Sequence, residues 1–312
     1  MRLSTAANLL ATLALCIAAA PNALRAEEGA IALPEEHPFP ESITSTEDGT
    51  LYASSISEGG ILKVSPDGKA EVWIVPGMFA TRSTFGVLAD EKNGMLWVCS
   101  NDASSIGLNG PNDVEGSYLK GFDLKTGEGK VSYKLPNAKS MCNDIAIGED
   151  GAAYVTNIAA PEILKLSPGA EELEVWLTDP ALKGGPDGLA FGPDGDLYVN
   201  TYNAGELFRV DVEDGKAQKL TKLDVGELTK PDGMRPIEGG FVMVEGSGKL
   251  DRIAVQDDGV EVETIESFKE PTGVTVVGDT VWVAEGQLSY LFDEEKKDEP
   301  HPEFHLRSVP LQ

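Results

Sequence analysis

The 312-residue chain carries 52 acidic residues against 25 Lys and Arg, a formal charge of −27, and a surface of that sign repels nucleic acid and anionic lipid, excluding both as partners. Three cysteines cannot build a disulfide framework. The longest apolar run, residues 9–20, is too short for a retained membrane span.

Read from its start, the chain has Arg2, the apolar run, and a small-residue exit over 23–26, the layout of a secretory signal peptide. The expectation is a leader over 1–26 and an exported mature chain, 27–312, in the periplasm or outside the cell, with no stable membrane insertion. Leu15 before Cys16 is too bulky for a lipoprotein site. Losing Arg2 and Arg25 with the leader takes the mature charge to −29, which suits a soluble monomer. Cys99 and Cys142 remain, either as a pair or as buried thiols.

Six segments then repeat: PESITSTEDGTLYAS, TFGVLADEKNGMLWVCS, CNDIAIGEDGAAYVTN, PDGLAFGPDGDLYVN, PDGMRPIEGGFVMVE and PTGVTVVGDTVWVAE. Each reads as a short strand, a Gly-bearing turn, and a second apolar strand. Further strands follow, such as GGILKVS and AEVWIV in the first unit. Aligned on Glu41, Phe85, Asn143, Asp187, Asp232 and Thr272, the intervals are 44, 58, 44, 45 and 40 residues. The one long interval holds the polar insertion SNDASSIGLNGPNDVEGS. Four-stranded repeats of this length predict an all-β fold, a single six-bladed β-propeller with four-stranded antiparallel blades. Its ring is closed either by the ending FHLRSVPL or by the stretch around Ala30 to Leu33.

The tripeptide Pro-Asp-Gly occurs at 186–188 and again at 193–195, with different meanings. Asp194 lies between two strands of one blade, where it belongs to a turn, as does Asp67 in Pro66-Asp67-Gly68. Asp187 and Asp232 stand where the innermost strand begins, closest to the propeller axis, together with Glu41 and Asn143. Three carboxylates and one amide converging there repel one another unless a cation sits among them, and hard oxygen donors suit Ca2+ far better than Zn2+. The plainer alternative is that channel water solvates these strand starts.

These repeats and axis residues resemble the SMP-30/gluconolactonase family, which includes regucalcin and resembles diisopropyl fluorophosphatase in architecture. The resemblance covers nearly all of 27–312. It implies metal ligation by Glu41 in PESI and Asp232 in KPDGM, while Asn143 in CNDIA falls where the family binds a metal-side water or substrate. Asp187 in PDGL stands where the family has a metal-binding Asn, which adds a negative charge. Ile145 replaces a family Gly, and Met141 stands where sugar-lactone enzymes of the family often carry Arg. The implied activity is divalent-metal-dependent hydrolysis of a small-molecule lactone or ester, with Ca2+ as the expected cofactor. Asp232 or Asp187 acts as general base or nucleophile, and Asn143 orients the carbonyl or the water. The rival is a non-catalytic exported propeller that binds a ligand or protein and keeps a structural Ca2+. Lyase-like and metal-free synthase-like propellers fit the unit count, the histidines and the axis acids less well.

Substrate contacts are expected from loops that follow the second strand of each blade: Asn101, Asn157, Tyr202 and Asn203, with Ser55 and Glu245 as further candidates. The insertion reads as a lid able to move. His37, His301 and His305 are expected at the surface, and no Gly-x-Ser-x-Gly elbow supports a Ser-His-Asp site.

Overall fold

The structure, a computed structural model, describes residues 29–256 and 259–311; the expected leader lies outside these. Six four-stranded antiparallel sheets form a β-propeller. Five blades are continuous in sequence: 40–74, 83–134, 142–178, 186–222 and 231–267. The sixth takes its two inner strands from Pro271–Val277 and Thr280–Glu285, its third from His305–Pro310, and its outermost from Ala30–Ala32. Both segments expected as alternatives therefore close the ring, and the first described strand locks the last blade.

Second strands such as Leu51–Ser55, Ala153–Asn157 and Leu197–Thr201 are buried throughout, while the outer strand Gly129–Lys134 alternates between half-buried and exposed. The difference follows from position: a strand near the axis is covered on both faces by neighbouring blades, so both faces are buried, whereas an outer strand keeps one face to solvent. Apolar layers fill the spaces between blades. Tyr154 packs in one cluster with Leu189 and Leu197 of the next blade, and Tyr198 in another with Met234 and Phe241. Each such side chain stabilises the ring by about 1.5–3 kcal/mol.

The turns between first and second strands repeat one device. Asp48, Asp150 and Asp194 each accept a hydrogen bond from the amide two residues on, at 2.9, 3.0 and 3.2 Å. Gly49, Gly151 and Gly195 follow with φ of 88°, 76° and 84°, the left-handed conformation this turn requires. Asp194 also accepts the Tyr198 hydroxyl at 2.9 Å, tying the turn to the core.

Cys99 and Cys142 form a disulfide, with 5.2 Å between their Cα atoms. It joins the second strand of one blade, Met95–Asn101, to the inner strand of the next, Cys142–Ile147. His37 departs from the surface position expected of it. It is fully buried, with Nε2 3.1 Å from the Ala53 carbonyl oxygen, and burial pushes its pKa down to about 4. His305 is half-buried within a blade strand; only His301 is exposed.

Candidate metal centre

Every inner strand breaks register with its neighbour near its start: between Pro40 and Ile43, Thr84 and Val87, Cys142 and Ile145, Pro186 and Leu189, Pro231 and Met234, and Pro271 and Gly273. Such a bulge leaves residues without a ladder partner and re-aims their side chains. Glu41, Asn143, Asp187 and Asp232 all fall in these breaks. The residue after the axis position is Gly in four blades because neighbouring backbones meet there. A Cβ on Gly188 would stand 2.2 Å from the Asp232 carbonyl oxygen, and one on Gly86 2.1 Å from that of Asn143.

Neighbouring blades hold the bulges in place. Thr156 donates to the Asp187 carbonyl at 2.8 Å, and Asn200 Nδ2 donates to that of Asp232 at 2.7 Å. Asn101 makes two bonds to the Cys142 backbone, donating to its carbonyl at 2.8 Å and accepting its amide at 2.9 Å. The disulfide acts on the same residue, so Asn143 follows a position fixed twice.

The structure brings the four predicted axis residues together. Glu41, Asn143, Asp187 and Asp232 line one small enclosed pocket with Asp144, Ser42, Gly86, Gly233 and Thr272, and all four are buried. Asn143 Nδ2 donates to Asp187 Oδ1 at 2.7 Å. Burial, and then the negative charge of neighbouring carboxylates, holds Glu41, Asp187 and Asp232 well above the usual carboxylate range. Glu41 Oε2 is buried with no hydrogen-bond partner.

These features fit a divalent cation. Crowded desolvated carboxyls and an orphaned carboxylate oxygen are relieved by a positive charge, and an all-oxygen donor set suits Ca2+. Among the described residues, no three His, Cys, Asp or Glu side chains already stand in ligating positions, so the donors share a pocket without forming a finished cage.

A cavity of about 600 Å3 rises from Asp232 through Tyr202, Asn203, Lys230, Glu270 and the short helix Ser289–Phe292. A second, of about 830 Å3, shares Tyr202, Asn203 and Lys230 with it and is lined by none of the axis carboxyls. Burial and the charges of Asp232, Asp187, Glu270 and Glu41 raise the Tyr202 pKa, which keeps its hydroxyl protonated.

Two predicted substrate contacts are placed otherwise. Asn101 and Asn157 are fully buried, and their amides serve neighbouring groups rather than the cavity. Asn157 accepts the Met141 amide at 2.9 Å and donates to Glu162 at 2.7 Å. Ser55 and Glu245 are clamps of the same kind, holding the Pro38 carbonyl and the Thr229 amide. The insertion is pinned by Arg82, which reaches Asp102 at 2.9 Å, the Asn109 carbonyl at 2.6 Å and the Val114 carbonyl at 2.9 Å.

Sequence reasoning missed Asp144, Arg235, Lys230, Glu270 and the Ser289–Phe292 helix. Asp144 carried a signal, since it occupies the position that is Gly in four other blades. Arg235 carried another, being the only Lys or Arg within the six inner strands.

Comparison with known proteins agrees with this ring. The model of the SMP-30/gluconolactonase/LRE-like region matches residues 39–281. The chain belongs to that family. Similar solved structures include a gluconolactonase from Xanthomonas campestris, 17% identical over 90% of this chain and 89% of that one, with a TM-score of 0.64. A calcium-binding regucalcin from Agrobacterium tumefaciens is 18% identical over 90% and 93%, TM-score 0.63. Virginiamycin B lyase from Staphylococcus aureus is 17% identical over 90% and 98%, TM-score 0.62. At such identities the likeness speaks to the fold alone. No curated protein matches the chain in sequence.

Proposed function

We propose that this SMP-30/gluconolactonase-family propeller is a divalent-metal-dependent hydrolase, best served by Ca2+, that acts on a small lactone or ester in the 600 Å3 cavity above the axis. The observation that carries the reading is the meeting of Glu41, Asn143, Asp187 and Asp232 in one small pocket that shares Asp232 and Thr272 with that cavity, with Glu41 Oε2 lacking a partner. These four residues would hold the ion. When bound, it supplies a Lewis acid for the substrate carbonyl.

The chain's own groups do the rest. Asp232, which lines both the enclosed pocket and the cavity, takes a proton from the attacking water. The hydroxide forms a bond to the acyl carbon, the acyl carbon–oxygen bond breaks, and the leaving alkoxide takes that proton back. Asn143 orients Asp187 through their 2.7 Å hydrogen bond, so Asp187 serves as a ligand alone and Asp232 as both ligand and base. Tyr202, held neutral, offers an O–H to the substrate.

The histidine-dependent alternative finds no support. An inactive histidine-to-alanine form is recorded for virginiamycin B lyase, whereas none of the three histidines here lines the axis pocket or the cavity above it. The disulfide agrees with export to an oxidising compartment, the periplasm or the cell exterior.

The test is a lactone and aryl-ester screen on chelator-stripped protein, with and without added Ca2+. Turnover restored by Ca2+ is expected. Stoichiometric Ca2+ binding without turnover on any of these would instead favour a ligand-binding propeller with a structural ion.

A further inference from the structure

Arg235 and Asp144 form a buried, two-pronged ion pair across the propeller axis. Arg235 Nη1 lies 2.8 Å from Asp144 Oδ2, and Nη2 lies 3.0 Å from Oδ1. Arg235 belongs to the fifth blade and Asp144 to the third, 91 residues apart in sequence. The pair gathers two further blades: Nη2 reaches the Val87 carbonyl at 3.3 Å, and Asp144 Oδ2 accepts the Leu189 amide at 3.4 Å. Nη1 also donates to the Met234 carbonyl at 2.8 Å.

The two partners face different spaces. Asp144 lines the enclosed pocket with Glu41, Asp187 and Asp232, whereas Arg235 lines a cavity of about 360 Å3 with Leu88, Ile145 and Phe191 and none of those acids. The pair is thus the partition between them. Both Asp144 oxygens are committed to the guanidinium, so the fourth carboxylate of the pocket cannot turn to an ion without breaking two charge-assisted bonds.

We propose that Arg235 is a positioning residue for the ion site: it withholds Asp144 from the ligand set and sets how much negative charge the ion meets. This rests on the reading of the pocket as a cation site. Removing the guanidinium leaves a buried carboxylate whose nearest remedy is the ion itself; removing the carboxylate leaves a buried positive charge beside the ion. The two changes therefore act in opposite directions, a sign that a merely structural role, weakening the site either way, does not produce.

The experiment is calorimetric titration of chelator-stripped protein with Ca2+, beside thermal melting of the metal-free forms. Arg235→Met is expected to bind Ca2+ roughly tenfold more tightly and to melt about 5–10 °C lower without the ion. Asp144→Asn is expected to bind roughly tenfold more weakly. The double variant Arg235→Met/Asp144→Asn is expected to return to within about threefold of the wild-type affinity. Unchanged or weaker binding by folded Arg235→Met overturns the proposal. If that variant does not fold, Asp144→Asn decides, and an unchanged affinity there is equally fatal. A wild-type protein that binds no Ca2+ removes the cation reading, and this proposal with it; wild-type binding with the wrong signs removes this proposal alone.

Discussion

The same three residues, Pro-Asp-Gly, occur at 186–188 and 193–195, and the molecule uses them in opposite ways. At the first, the strand bulges, Gly188 admits the backbone of the next blade, and Asp187 is buried among like charges. At the second, Gly195 turns left-handed, and Asp194 is exposed, accepting the Asp196 amide and the Tyr198 hydroxyl. A carboxylate that satisfies its own turn is a structural part. One that burial and like-charged neighbours hold above its usual range, in a shared pocket at the axis, invites a cation, and that difference, rather than the motif, marks the candidate site.

The contrast is most sharply broken at the axis. Asp232→Ala is expected to abolish Ca2+ binding and to lower any Ca2+-dependent turnover by more than ~100-fold, since loss of a ligand costs more than loss of its supporting groups. Binding and rate measurements on one preparation check this.

The support beneath the axis comes next. Replacing Cys99 and Cys142 by Ser removes a cross-link between residues 43 apart, and the stability lost is expected to be about 4 kcal/mol on chain-entropy grounds. Because Cys142 precedes Asn143, Ca2+ affinity should fall as well. Denaturant unfolding with and without the ion separates the two effects; full stability in the Ser variant would mean that the clamp from Asn101 suffices.

His37 is a buried group that lines neither the axis pocket nor the cavity above it. Its folded pKa of about 4 lies below the ordinary 6.5, so between these values the unfolded chain binds the extra proton. Stability is therefore lost as pH falls from 6.5 towards 4, by about 3 kcal/mol in all. His37→Gln should flatten this part of the wild-type pH profile, read as the difference between the two proteins. Identical slopes would contradict the burial assigned to the ring.

The smallest effect belongs to the second Pro-Asp-Gly. Asp194→Ala should cost about 1 kcal/mol through its lost turn bonds and leave Ca2+ affinity unchanged. Thermal melting and titration measure both.

How much was legible follows from the physics of repetition. The turn signals recur with each blade, so the six-fold ring and the axis positions could be read from spacing alone. Asn101 and Asn157 were placed at the right end of their strands, but spacing does not say whether a side chain faces a cavity or bonds the adjoining backbone. Asp144 and Arg235 escaped because their meeting across the axis depends on closure of the whole ring. His37 was misjudged because a short segment before the first blade reads as surface until it is seen folded against Ala53. The cysteine pairing needed the distance between two blades, which no local pattern encodes.

The most direct measurement is calorimetric Ca2+ titration of chelator-stripped wild-type protein beside Asp232→Ala and Asp194→Ala. One site is expected in the wild type and in Asp194→Ala, with none in Asp232→Ala. No binding by the wild type, or equal binding by all three, would contradict the assignment of the axis carboxylates as an ion site.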